Sequence, residues 1–556
     1  MRSFIAAGWA CLLAACVSAA PPRPSPAPQA PAIQPAAAPL SPEALGAHIA
    51  VLASDAFEGR EPATVGEQKT LDYLIAQFQA AGLEPGFNGA WLQPTPLVTA
   101  SIAGAPGLFI SGPDGVEEYA YGAEQVVWTK REAGRVILSD RELVFVGYGV
   151  SAPERNWNDY RGLSMRGKVA LILVNDPDFE TGQGAFEGKA MTYYGRWIYK
   201  LEEAARQGAA GALIIHEDAP ASYPWAVVQS SWTGPQFALQ TPDRGASRVG
   251  LEGWITADMA RKLFARAGLD FDAQKRAAQS PEFQAKPLGL QLSASLETTF
   301  ERTVSHNVVA KLPGTARPGE AVLYTAHWDH LGRCQPIAGD DICNGAQDNA
   351  SGTAGLIELA RAHAAAGPAA RSLLFVAFTA EEQGLLGSAH YAVEPAVPLR
   401  DTVAVINMDG LPIHGRTRNL DVIGFGKSEL DALVGAAALR QGRAATPYPF
   451  PERGAYYRSD HFSLAKLGVP GVFARGGVDL ENGGAERGRQ LDGEYVAQRY
   501  HKPDDEYAPD WDLGGAAQDL ELFYTVGREL ATGAAWPNWL AGDEFRAVRD
   551  AARSGR

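Results

Sequence analysis

Cysteine and runs of basic residues are what this sequence most lacks. Only four of its 556 residues are Cys, too few for a disulfide framework, and Cys11 and Cys16 fall in an apolar N-terminal stretch. No Lys/Arg-rich run offsets the formal charge of −15, which argues against nucleic acid as the main partner. No repeat with a 20–50-residue period is visible. What is present is globular in kind: 46% hydrophobic and 20% charged residues. At this length two or three domains are expected. The acidity fits a solvated surface, and it also fits carboxylates gathered around a cation.

The chain opens "MRSFIAAGWACLLAACVSAAPPRPSPAPQA". One Arg followed by a short apolar stretch has the layout of an export signal over 1–18, too short to span a membrane comfortably. "LAAC", ending at Cys16, resembles the bacterial lipobox, whose Cys carries the lipid; the other reading is a plain signal cut among the alanines. A Pro/Ala tether covers 19–40. The expectation is an exported protein in the periplasm, on the periplasmic side of an outer membrane, or secreted, touching membrane only through that anchor. Export implies an oxidising compartment, in which Cys334 and Cys343 pair across a short loop; as zinc ligands they would lack partner motifs.

From 41 to 135 the pattern is first helical. Ser41 caps a helix with Pro42 at its first position, and a second helix from about 66 carries Leu71, Leu74, Ile75 and Phe78 on one face before Gly82 ends it. Glycine-punctuated strands follow, including "LVFVGYGV". Between 136 and 295, "GKVALILVN" and "YKLEEAARQGAAGALIIHED" give a β–α–β texture flanked by strands. No acid/base pair stands out there, and His216 reads as a surface residue. Over 296–545, "HNVVAKLPG", "EAVLYTAH", "SLLFVAFTA", "TVAVINMD" and "GVPGVFAR" alternate with helices such as "SGTAGLIELARAHAAAG". That alternation predicts an α/β fold with a mostly parallel sheet covered on both faces.

In open parallel sheets, sites form beyond the carboxyl ends of the strands. Three strands here end in ligand-type residues: one at His327 and Asp329, one at Glu381 and Glu382, one at Asp409. Asp348 stands before a helix, where it is an N-cap or a ligand; His501, after a loop, is a surface residue or a ligand. Imidazole and carboxylate are the groups Zn²⁺ accepts in hydrolytic sites. Asp348, Glu382 and Asp409 would bring three negative charges against the four of two Zn²⁺, and Glu381 would stay free beside them.

The motifs "AHWDHLG", "QDNASGTAGLIELAR", "FVAFTAEEQGLLGSAHY", "VINMDG" and "YHKPDDEY" resemble, in order, those of the secreted di-zinc aminopeptidases, which are related to glutamate carboxypeptidase and glutaminyl cyclase. The segment 136–295 resembles the protease-associated domain found inserted in several peptidases. The resemblance implies a zinc exopeptidase fold with a β-rich insert, two Zn²⁺ per chain and peptide substrates. His327 and Asp409 would bind one zinc, Glu382 and His501 the other, and Asp348 would bridge. Glu381 would be the general base and Tyr500 an oxyanion donor, unless Tyr500 only packs at a loop edge. Asp329 would accept the second N–H of His327. Arg458, Ser459, Asp460 and His461 would line the substrate pocket. His330 reads as a loop residue at the mouth of the site, and His363 and His390 as structural. Alternatives are a carboxypeptidase, a one-zinc cyclase, or a receptor-like binding protein. Side-chain preference and oligomeric state are not legible.

Overall fold

The computed structural model describes residue 1 and residues 40–554; the export signal, Cys16 and nearly all of the tether lie outside the described residues. Two sheets share one strand. Lys286–Leu312 runs 27 residues. In its first half Leu288, Leu290, Leu292, Ala294 and Leu296 are buried while their neighbours face outward, the two-residue period of a half-buried strand. That half pairs antiparallel with Gly107–Gly112 and Arg135–Phe145; the second half pairs antiparallel with Leu92–Ile102 and Arg371–Phe378.

Beyond Arg371–Phe378 the main sheet continues through Arg317–His327, Thr402–Asn407 and Gly471–Gly476, all four parallel. Val322, Tyr324 and Ala326 face one helical layer, which includes Gly352–Ala365, Gly514–Thr532 and the N-terminal helices; Leu323, Val376 and Phe378 face the other. The sheet is therefore covered on both sides, as the unbroken apolar runs require. Burying Leu356, Ile357 and Leu359 of the Gly352–Ala365 helix contributes about 1.5–3 kcal/mol each. Ser41 caps the Pro42–Leu52 helix, its Oγ accepting from the Ala44 N–H at 3.0 Å.

The second sheet holds the expected β–α–β unit. Val169–Leu173 and Gly211–His216 are parallel neighbours, with the Trp197–Arg206 helix between them in the chain. Two details differ from the sequence reading. Gly107–Gly112, Gly115–Tyr119 and Gln125–Trp128 join this second sheet, although they precede 136. "LVFVGYGV" stops being strand at Phe145, because Gly147 and Gly149 take φ of +59° and +63°. Among the described residues no helix is long and apolar enough to cross a membrane.

Candidate metal centre

Register brings the three acidic strand ends together. His327 lies opposite Phe378, and Thr325 opposite Asn407, so the chain leaves the sheet toward Glu381, Glu382 and Asp409 at one edge. Asp348 arrives from the tight turn Ala346–Ser351 that precedes the Gly352–Ala365 helix. Its amide and that of Gln347 donate to Asp505 Oδ2 and Oδ1, both at 3.1 Å. A second clamp was not legible in the sequence. Arg60 is fully buried and donates to the carbonyls of Trp328 (2.8 Å), Leu52 (2.7 Å), Asn344 (2.6 Å) and Gly345 (2.9 Å). It thereby ties the His327 segment to the loop that delivers Asp348. Gly59 allows the approach, since a Cβ there would lie 2.6 Å from the Gly332 and Cys343 carbonyl oxygens. Cys334 and Cys343 form the expected disulfide, Cα–Cα 5.9 Å, across the hairpin of Gly332–Ile337 and Asp340–Cys343.

Asp348 presents one oxygen to each of two histidines. Its Oδ1 is 3.3 Å from His327 Nε2 and its Oδ2 is 3.3 Å from His501 Nε2. Asp409 Oδ1 lies 3.3 Å from His327 Nε2, and Glu382 Oε2 lies 3.1 Å from His501 Nε2. Glu381 stands back, its Oε2 at 4.0 Å from His327 Nε2. The His501 side chain is 35% exposed while that of His327 is 1% exposed, so the cluster meets solvent on the His501 side.

The electrostatics follow from an excess of carboxylates in a buried space. Burial pushes Glu381 well above the usual carboxylate range, with Asp409, Glu382 and Asp460 adding to the rise. Burial works the same way on Asp348, but the imidazoles of His327 and His501 hold it well below that range. Burial would lower both histidines; instead the carboxylates lift His327 well above its ordinary value, and Glu382 and Asp348 lift His501 to about 10. A field that holds a proton on each imidazole is one that favours a cation between the donors.

The donor set fits divalent cations. Charge-assisted hydrogen bonds settle at about 2.7–2.9 Å, shorter than the four nitrogen–oxygen separations here. Donors about 2.0–2.1 Å from a tetrahedral ion stand about 3.3 Å apart, close to what these four pairs show. His501 Nε2 has no well-formed hydrogen bond although it is buried.

Some sequence expectations change. The ring orientation of His327 is set by the backbone carbonyl of Asp329, 3.1 Å from Nδ1, with the Asp329 carboxylate farther away at 3.7 Å. That carboxylate instead accepts from the Glu381 and Glu382 amides at 3.1 and 3.3 Å, which fixes the two glutamates side by side. His330 is not at the mouth: it is fully buried and its Nδ1 lies 2.7 Å from Glu382 Oε1. Ser459, Asp460 and His461 are buried behind the strand ends, with Ser459 Oγ accepting from Asn407 Nδ2 at 2.7 Å; only Arg458 of that group is exposed. Burial alone takes His461 down to about 3, so it stays neutral between the Tyr456 and Phe473 rings. Tyr500 stacks on His501 with centroids 3.9 Å apart, and burial pushes its phenol up, so the hydroxyl keeps its proton. His363 is structural as expected, its Nε2 2.8 Å from Tyr324 Oη. His216 is buried against Tyr223, Trp225 and Trp254 and is not a surface residue.

Residues 307–525 match the model of Peptidase family M28. Aminopeptidase YwaD of Bacillus subtilis (strain 168) is 37% identical over 109 residues, 19% of this chain and 21% of that protein. Aminopeptidase NAALADL1 of Mus musculus is 32% identical over 129 residues, 22% of this chain and 16% of that protein. The chain thus spans about a fifth of the length of the curated relatives it matches. Among solved structures, an aminopeptidase from Aneurinibacillus sp. strain AM-1 shares the fold, with 20% identity and a TM-score of 0.50 over 90% of this chain and 96% of that one.

Proposed function

We propose that the protein is a zinc-dependent exopeptidase that releases N-terminal residues from peptides, with two zinc ions per chain. The observation that carries this reading is Asp348, one oxygen toward His327 and the other toward His501, beside a glutamate that neither histidine engages closely. His327, Asp348 and Asp409 would hold one ion; His501, Asp348 and Glu382 the other. Bound there, the ions supply Lewis acidity that polarises a scissile carbonyl and makes water a better nucleophile.

The side chains do the rest. The Asp329 carboxylate holds the backbone of Glu381, so its side chain is aimed before substrate arrives. Glu381 has a burial-raised proton affinity and can take a proton from the attacking water, then return it to the departing amine. Tyr500 offers a protonated hydroxyl to the developing oxyanion. Export, anchoring through Cys16, and a protease-associated role for the second sheet complete the reading. The relatives named above as aminopeptidases support attack at the N-terminus.

Glu381→Ala is the direct test. Its zinc content, measured by elemental analysis, should stay near two per chain, while kcat on an aminoacyl arylamide falls about 10²–10⁴-fold. Undiminished activity would remove Glu381 from the mechanism. One zinc per chain, with pyroglutamate formed from N-terminal Gln peptides, would establish a cyclase instead.

A further inference from the structure

Buried cations in this protein are mostly answered. Arg443 meets Asp519 at 2.6 Å, and Lys427 meets Asp543 and Glu544 at 3.2 and 3.1 Å. Two arginines at the seam between the two sheets, half-buried Arg196 and exposed Arg458, have no such partner among the described residues. Arg196 and Arg458 form no ion pair, and no carboxylate or carbonyl accepts from either guanidinium among the described residues. The nearest partner of Arg196 is Met191 Sδ at 3.8 Å, and its Nε is buried with no acceptor. Arg196 also stands at the N-cap of the Trp197–Arg206 helix, where the helix dipole favours an anion over a cation.

The two come from different sheets and meet at a seam. The Met191 N–H donates to the Pro451 carbonyl at 3.0 Å, and Ser222 Oγ to the Glu452 carbonyl at 3.3 Å. A Cβ on Gly454 would lie 3.3 Å from Arg196 Cδ, so Arg196 leans directly on the turn Ala455–Tyr457 that leads into exposed Arg458. Burial, then the charge of Arg458, brings Arg196 down to about 10. Desolvation by its neighbours pulls Arg458 the same way although the residue is partly exposed, yet Tyr500, Tyr223 and Glu381 hold it above its ordinary value. Arg458 is thus within electrostatic reach of both Arg196 and the base. A guanidinium fork matches a carboxylate, and an anion between two such groups relieves their repulsion.

We propose that Arg196 and Arg458 form a carboxylate-binding subsite beside Glu381, which selects peptides carrying a second carboxylate near the scissile bond. That carboxylate is either an acidic N-terminal side chain or the free C-terminus of a short peptide. This inference rests on the exopeptidase reading above.

Two substrate pairs separate the sources: Ala–Ala against Ala–Ala amide, and glutamyl against glutaminyl arylamide. In one pair kcat/KM should favour the carboxylate by about tenfold or more. Arg196→Met or Arg458→Met should bring that ratio close to one, and Arg196→Lys should keep part of it. The ratio does not depend on how much of a variant folds. A wild-type ratio below about twofold in both pairs, or a ratio unchanged in both Met variants, overturns the subsite. If none of the four substrates is cleaved, the exopeptidase reading fails first, and calorimetry with glutarate then decides the subsite alone. Binding in wild type that is lost in Arg196→Met supports it; no binding, or equal binding, overturns it.

Discussion

The two sheets bury ionisable groups in opposite ways. In the second sheet Lys200 is fully buried, and its Nζ donates to the Tyr148 and Asn175 carbonyls at 2.6 and 2.8 Å while feeling the charge of Asp176 and Asp159. Asp176 accepts from the Thr192 amide and hydroxyl at 2.6 and 2.8 Å; Asp159 accepts from the Val150 amide and the Trp157 indole at 2.9 and 2.7 Å. Each of these three charges has local donors or acceptors and an opposite charge at hand. In the main sheet Asp348, Glu381, Glu382, Asp409 and Asp460 crowd around three imidazoles. Both oxygens of Asp460 and the Nε2 atoms of His330 and His501 lack hydrogen-bond partners. A surplus of one sign around three imidazoles, with several polar atoms left unpartnered, sets this edge of the main sheet apart as the candidate metal centre.

Three substitutions test that contrast, the strongest first. Asp348→Ala should strip the centre, lowering kcat by at least about a thousandfold. It should also abolish the rise in Tm that added zinc gives the wild type, about 2.7 kcal/mol of stabilisation at a hundred times Kd. A variant that still gained stability from zinc would show that Asp348 does not join the two halves of the site. Asp329→Asn keeps shape but weakens acceptance from the Glu381 and Glu382 amides, so zinc affinity or kcat should fall about 10–100-fold in competition with a chelator. Unchanged values in both would confine Asp329 to packing.

The smallest effect belongs to the second sheet. Burial lifts Asp159 to about 7, so the native chain keeps a proton that the unfolded chain releases above about pH 4. Its contribution to stability is full below that pH and is lost as pH rises toward 7. Asp159→Asn should flatten this part of the profile in denaturant titrations across the window and leave zinc content untouched. A slope as steep as that of the wild type would place the titration elsewhere.

Much of the centre was readable in the chain because apolar runs ending in His, Asp or Glu mark strand termini. Parallel pairing then puts those termini at one edge. The place of His330 is not legible, because three residues beyond His327 says nothing about which way a loop turns; its burial against Glu382 is a tertiary contact. Arg60 is silent for a similar reason, since a lone arginine in "FEGREP" carries no local sign that it binds four carbonyls from three separate segments. For Asp329 the sequence points to the right neighbourhood but not the partner, because a carboxylate two residues after a histidine reaches either the ring or the amides just beyond the neighbouring strand. The second sheet begins earlier than 136, since strand pairing across 180 residues leaves no trace in composition.

By itself the amino-acid order determined which residue types end the strands, where the N-terminal helices start, and that the acidic groups outnumber the histidines near them. Those are properties of neighbours along the chain. Only the tertiary structure decided that Asp348 divides its two oxygens between His327 and His501, that the Asp329 carboxylate holds the glutamates, and that Arg196 of one sheet leans on the turn leading to Arg458 of the other. Each of these depends on register and sheet-to-sheet docking, which bring together groups separated by up to hundreds of residues.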